Sequence, residues 1–232
     1  MERVDFMAEK YGTIPQKFTR EWWDYFWMYY KGYVIAAVFI IITASVTIYQ
    51  AVTTPKYDLS LVYAGRYAFS DALEEKITET ISTVCPDVDS NKKNSLEFLQ
   101  LRVGDQSDPQ YAMAMQTKLD IYIAEENIHL YIFDKDVALP YLGKDAENCC
   151  FTPLSDWLDT DSDAVCSAHG IDYGIELTEC KVFQEFARES GLDFSGMYLF
   201  VRYPPRKDQM KKQLETHNAS IEVAQKIVNG IK

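Results

Sequence analysis

Histidine is nearly absent from this chain, and so are the common catalytic signatures. The three histidines, His129, His169 and His217, are widely separated in sequence, so their spacing assembles no triad. Each reads first as a structural residue. There is no GxGxxG, no GxxxxGK followed by Ser or Thr, no HExxH and no GxSxG. The usual nucleotide-binding, zinc-protease and hydrolase fingerprints are therefore missing. The five cysteines, Cys85, Cys149, Cys150, Cys166 and Cys180, form no CxxC and have no histidine at zinc-ligand spacing, which argues against a closed metal site. Two readings of them stand side by side. Cys149 or Cys150 pairs with Cys166 or Cys180 in an oxidising compartment, leaving at least one thiol free, or all five are buried small hydrophobes.

An excess of positive charge is missing too. Lys and Arg number 23 against 35 Asp and Glu, a net charge of -12. Such a surface repels phosphate-rich partners, so nucleic acid is not expected. The first 32 residues hold five basic and five acidic side chains, so the whole net charge belongs to residues 33–232.

What the chain does have is one long apolar run. Tyr33 to Val52 contains no Asp, Glu, Lys or Arg, and Trp22, Trp23, Tyr25, Trp27, Tyr29 and Tyr30 crowd its N-terminal side. A helix rising about 1.5 Å per residue needs roughly 20 apolar residues to cross a hydrocarbon core of roughly 30 Å, and amphipathic rings favour the adjoining headgroup layer. A cleaved signal peptide would be shorter, start nearer the terminus and end at small residues. The organisation expected is a cytoplasmic leader with an aromatic juxtamembrane segment over 1–32, a transmembrane helix over 33–52 with the lipid bilayer as its partner, a linker over 53–56, and an extracytoplasmic domain over 57–232. Orientation rests on Lys17, Arg20 and Lys31 before the span against Lys56 and Arg66 after it.

The remaining stretch, about 180 residues, suits one domain with a core of its own. The run Tyr57 to Gly65 reads as a strand; Ser70 and Asp71 open a helix with Leu73, Ile77, Ile81 and Val84 at helical spacing, which Pro86 stops. Leu96 to Val103 is a second strand. Asp108 and Pro109 start another helix, with Ala112, Met115, Leu119, Tyr122 and Ile123 on one face. The apolar runs Ile128 to Phe133, which contains His129, and Met197 to Val201 suggest strands covered on both sides, as in a parallel sheet. A helix around Asp136 to Leu142, a loop-rich stretch from Gly143 to Gly170, a strand at Tyr173 to Leu177 and a helix from Lys181 to Ser190 lie between them. A last helix, about Lys207 to Asn229, spaces Met210, Leu214, His217, Ile221, Ala224, Val228 and Ile231 by fours and threes, which fits packing on the domain's own sheet or a short coiled-coil seam. The fold class is α/β: an N-terminal transmembrane helix followed by one three-layer domain with a mainly parallel or mixed sheet.

Ligands in open α/β sheets sit beyond the carboxyl ends of the strands. That rule nominates Arg66 and Tyr67 after the first strand and Asp134 and Asp136 after the Ile128 to Phe133 strand. The bland alternatives are that Asp136 caps the next helix and that Arg66 pairs with a neighbouring acid. Asp159, Asp161 and Asp163 repeat the first half of an oxygen-lined calcium loop, as do Asp87, Asp89 and Asn91. Neither run completes it: Ala164 and Gly170 stand at the turn and bidentate positions of the first, Lys92 and Phe98 at those of the second.

The phrases EWWDYFWMYYKGYVI, KYDLSLVYAGRY, MQTKLDIYIAEENIHLYIFDKDVALPYL and FTPLSDWL together resemble those of uncharacterised bacterial single-pass membrane proteins whose outer domain is similar to one lobe of extracellular solute-binding proteins. The resemblance runs from about Glu21 onward and rests on hydrophobic patterning. It implies a place near a binding cleft for Asp134 and Asp136. The chain departs from a full solute-binding protein in having room for one lobe and no lipoprotein cysteine. Three functions are expected as alternatives: a non-catalytic surface domain that binds an unknown protein, a wall component or a small solute; a carboxylate-dependent hydrolase; or an accessory subunit contacting a membrane complex through Thr43, Ser45 and Thr47.

Overall fold

A computed structural model describes residues 16–53, 56–88, 92–103, 108–143, 149–204 and 211–231. They belong to two compact units, Met1–Pro55 and Lys56–Lys232.

The first unit is built on a single helix, α1 (Arg20–Thr53, 34 residues), about 50 Å long at 1.5 Å per residue. The aromatic collar is part of this helix and not a separate segment. Trp22, Phe26 and Tyr30, each four residues apart, stack with ring centroids 5.3 Å apart at both steps. Among the described residues one helix, at Arg20–Gln50, is long and apolar enough to cross a membrane. The hydroxyls of Thr43, Ser45 and Thr47 donate to the carbonyls of Phe39, Ile41 and Thr43 at 2.7–2.9 Å, so each polar side chain is satisfied within its own helix.

In the second unit six strands form one mixed sheet in the order β2-β1-β3-β6-β5-β4. β1 (Leu59–Gly65) runs parallel to β2 (Leu96–Arg102) on one side and to β3 (Leu130–Asp134) on the other. β6 (Met197–Val201) lies antiparallel to β3, and β5 (Ile171–Glu176) and β4 (Val165–Ala168) continue the sheet antiparallel. The apolar runs Leu130–Phe133 of β3 and Met197–Val201 of β6 reflect burial on both faces, and β6 shows that such burial does not require parallel neighbours. β4 is an addition to the sequence reading: it sits in the stretch expected to be loop and turns into β5 at His169 and Gly170, both at positive φ.

Helices cover both faces. Alternating residues Leu59, Leu61 and Tyr63 of β1 face one core with α2 (Asp71–Ser82), α5 (Lys181–Ser190) and α6 (Lys211–Asn229), while Val62 and Ala64 face another with α3 (Pro109–Glu125) and α4 (Lys135–Ala138). Ser70 caps α2 by accepting from Leu73 N, and Asp108 caps α3 by accepting from Tyr111 N. α2 ends at Ser82, four residues short of Pro86. α5 ends on Gly191 in the left-handed conformation, φ 71°, that glycine adopts without strain. The helix expected over Asp136 to Leu142 is one α-turn, α4, followed by a 3-10 turn at Leu139–Tyr141.

α6 packs on the sheet. Its buried stripe is His217, Ser220, Val223, Ala224, Ile227 and Val228, an ordinary i, i+3, i+4, i+7 face, whereas Leu214 is 48% exposed. That distribution does not support a heptad seam, and Met210 with the expected first turn lies outside the described residues. His129 precedes β3 instead of lying within it.

Candidate functional site

The chain leaves β1 toward the α2 face and leaves β3 toward the α4 face. Two adjacent parallel strands whose exits diverge to opposite faces open a crevice between their carboxyl ends, the topological switch point of an α/β sheet. β5 and the start of β6 reach the same edge of the sheet, because β6 is antiparallel to both β3 and β5.

The structure brings the four nominated residues together there, three through their side chains and Tyr67 through its backbone. Asp134 Oδ2 accepts from the backbone N–H of Arg66 at 2.8 Å, and Asp134 Oδ1 accepts from the Tyr63 hydroxyl at 3.4 Å. The Arg66 guanidinium pairs with Asp136, both side chains being more than half exposed. Tyr67 directs its backbone N–H to the Tyr63 hydroxyl at 3.3 Å, and its ring is 64% exposed. Asp136 does not cap α4; the N-cap position belongs to Asp134, whose carboxylate turns across to β1 instead of to its own helix. Arg66 is paired with an acid, as the bland reading supposed.

Gly65 makes this crossing feasible. A Cβ there would stand 2.5 Å from Asp134 Oδ1 and 2.6 Å from Tyr63 Cζ. Burial raises the Asp134 carboxyl above the ordinary Asp range, opposed by the N–H of Arg66, the Tyr63 hydroxyl and the Arg66 charge. The Tyr63 phenol is likewise pushed up, first by burial and then by Asp134. Tyr63 therefore stays a neutral donor and Asp134 the acceptor.

Beside this network the loop after β1 and the loop before β6 enclose a cleft of about 410 Å³, lined among others by Tyr67, Phe69, Ser70, Asp193, Phe194 and Met197. Its floor is aromatic. Phe69 stacks on Tyr63 at 4.5 Å, meets Phe194 edge-on at 6.1 Å, and Phe194 meets Phe183 at 5.3 Å. Gln100 of β2 fixes the first loop by accepting from Phe69 N at 2.8 Å while its amide donates to Glu74. Glu176 of β5 fixes the second by accepting from Gly196 N at 2.7 Å. At the rim Asp193 accepts from the backbone and the hydroxyl of Ser195, which hold its carboxyl below the ordinary range. Sequence reasoning did not find Phe69, Phe194 or Asp193, since the loop holding the last two meets β1 only through strands distant in sequence.

Asp159, Asp161 and Asp163 lie exposed in the loop before β4, away from these residues in the strand order. Ser162 N and Ala164 N there bond to Thr160 and Ser162 hydroxyls and to no carboxylate of the run. Among the described residues no three His, Cys, Asp or Glu side chains are grouped as a metal-ligand set. Asp87 accepts from Lys92 N at 2.8 Å; its companions Asp89 and Asn91 lie outside the described residues. None of the five cysteines is joined in a disulfide.

No protein-family model matches the sequence, and neither a curated protein nor a solved structure matches it.

Proposed function

We propose that this protein is a membrane-tethered, non-catalytic binding domain that takes a small solute or a short partner segment in the crevice beyond β1 and β3. The observation that carries the reading is the cleft itself: about 410 Å³, an aromatic floor, and polar groups at its edge, at the switch point of the sheet. A binding role fits the chemistry better than hydrolysis. Both oxygens of Asp134 are committed to Arg66 N and Tyr63, and Asp136 is committed to Arg66. Each of these carboxylates serves to position the β1 and β3 termini, and the described lining of the cleft sets no second acid beside Asp193. The likeness to one lobe of solute-binding proteins belongs to the same reading.

α1 supplies the anchor, with the leader in the cytoplasm and the acidic domain outside. The basic residues on the leader side support that orientation. Three of the thiols suit an oxidising exterior: burial pushes Cys85 and Cys180 up to about 12 and raises Cys166, leaving little reactive thiolate at these positions.

The test is a thermal-shift and calorimetric screen of the full-length protein in detergent against sugars, amino acids, short peptides and calcium. A ligand whose binding is weakened at least tenfold by Phe69→Ala or Tyr67→Ala supports the crevice. Turnover of any of these compounds, abolished by Asp134→Asn, overturns the non-catalytic reading.

A further inference from the structure

Two of the three histidines meet where α6 lands on the sheet. His129, just before β3, is 1% exposed and His217 of α6 is 4% exposed. Their ring centroids are 5.3 Å apart at 73°. Neither ring nitrogen of His129 has a hydrogen-bond partner, nor has Nδ1 of His217. Gln213, one turn earlier on α6, donates to Asn127 at 2.8 Å and leaves its own oxygen buried without a partner.

The charged and titratable groups around the pair come from three other segments. Just after β6 stands Arg202, 7% exposed, whose backbone N–H donates to the His129 carbonyl at 2.9 Å. The end of α3 supplies the Ile123 carbonyl, which accepts from the Arg202 guanidinium, and Glu126, which pairs with it at 3.3 Å. Glu126 holds the left-handed conformation, φ 57°, uncommon for a residue with a side chain. Within β3, Tyr131 donates to the Tyr122 carbonyl at 3.3 Å. Glu126, the anion here, is already committed to Arg202, so a proton arriving on His129 adds positive charge beside a buried guanidinium, and one arriving on His217 adds charge in a buried site that offers the neutral Gln213 oxygen but no free carboxylate among the described residues.

We infer that His129 and His217 form an acid-sensitive latch, which holds the first half of α6 on the sheet at neutral pH and releases it on acidification. Burial, then the charges of His217 and Arg202, push His129 down to about 3, and burial lowers His217 as well. A released imidazole titrates near 6.5. Groups lowered in the held state contribute fully above about 6.5, and their contribution is lost as pH falls through the window below it. Each histidine then shifts the equilibrium up to about tenfold per pH unit, and the pair up to about a hundredfold. Most of that window lies above the range of ordinary carboxylates.

The test is hydrogen exchange on the full-length protein in nanodiscs at pH 7.5, 6.5, 5.5 and 5.0, expressed as protection factors. Protection in the first half of α6 is expected to fall by about tenfold or more, while amides of β1 and β3 hold theirs. The double variant H129F/H217F is expected to lose this dependence. Because the variant could fold poorly, imidazole proton resonances of the wild type are followed in parallel. Protonation of His129 and His217 that coincides with loss of α6 protection supports the latch. Protonation of either near 6.5 with α6 still protected, or α6 protection independent of pH, overturns it. So does stoichiometric zinc raising α6 protection in the wild type alone, which would mark the pair as a metal site.

Discussion

Gly65 carries the tightest constraint in the crevice. Only a residue without Cβ leaves the Tyr63 hydroxyl and the Asp134 carboxylate their places over the β1 terminus. Gly65→Ala is expected to destabilise the domain by about 1–3 kcal/mol, as other substitutions that crowd a packed site do. Urea denaturation with an unchanged m-value would show it, and an unaltered midpoint would mean that the strand end shifts freely. Asp134 makes the converse point. Its carboxyl is raised in the folded protein, so its contribution is greatest below the ordinary Asp range and is lost as pH rises through the folded value. Asp134→Asn removes that term, while an amide oxygen still accepts from Arg66 N and an amide N–H can reach the Tyr63 oxygen. The expected result is a change within about 1 kcal/mol at pH 7 and a flatter stability profile just above the ordinary Asp range, scaled to about one group. A loss of several kcal/mol at pH 7 would show that the charge itself holds the β1–β3 edge together.

The elements differ in how openly their residues announce them. α2 and α3 were legible because Ser70 and the Asp108–Pro109 pair are start signals that act locally, each taking up an N–H of the first turn. α5 lies where the sequence reading put it, from Lys181 to Ser190. β4 was not, because a four-residue edge strand with a register irregularity between Cys166 and Ser167 leaves little alternation to see. Of the candidate site, Arg66, Tyr67, Asp134 and Asp136 came from the rule about carboxyl ends, since β1 and β3 are neighbours. The cleft wall did not, because antiparallel β6 brings Phe194 to β1 by strand order, a non-local property. α6 depends on tertiary burial more than on caps. Ile227 is fully buried in the core shared with α2 and α5, so Ile227→Ala is expected to cost about 2–5 kcal/mol in chemical denaturation. Ser70→Ala, which removes a cap and no core contact, is expected to cost about 1 kcal/mol. The reverse ranking would mean that α2 and not α6 governs the cooperativity of the domain.

At the scale of the whole molecule, the chain divides its physics between two units. One is a helix whose exposed side chains are Ile, Val and Phe, suited to lipid, and the other buries two cores of its own on either side of a sheet. Val38 and Ile41 lie in the apolar stretch, and none of its window is buried. An arginine near the centre of a span costs about 2.5–3.5 kcal/mol by insertion scales, so Val38→Arg with Ile41→Arg costs about 5–7 kcal/mol. The double variant is expected to leave the membrane pellet on alkaline carbonate washing, where the wild type stays. Its near-ultraviolet circular dichroism and urea midpoint are expected to match the wild type, because no residue of either core comes from α1. If the released protein instead lost its tertiary signal, the α/β domain would depend on the anchor for folding. A ligand crevice carried by an autonomous module, tethered only to be kept at the membrane, would then give way to a protein whose working form exists only when the helix is embedded.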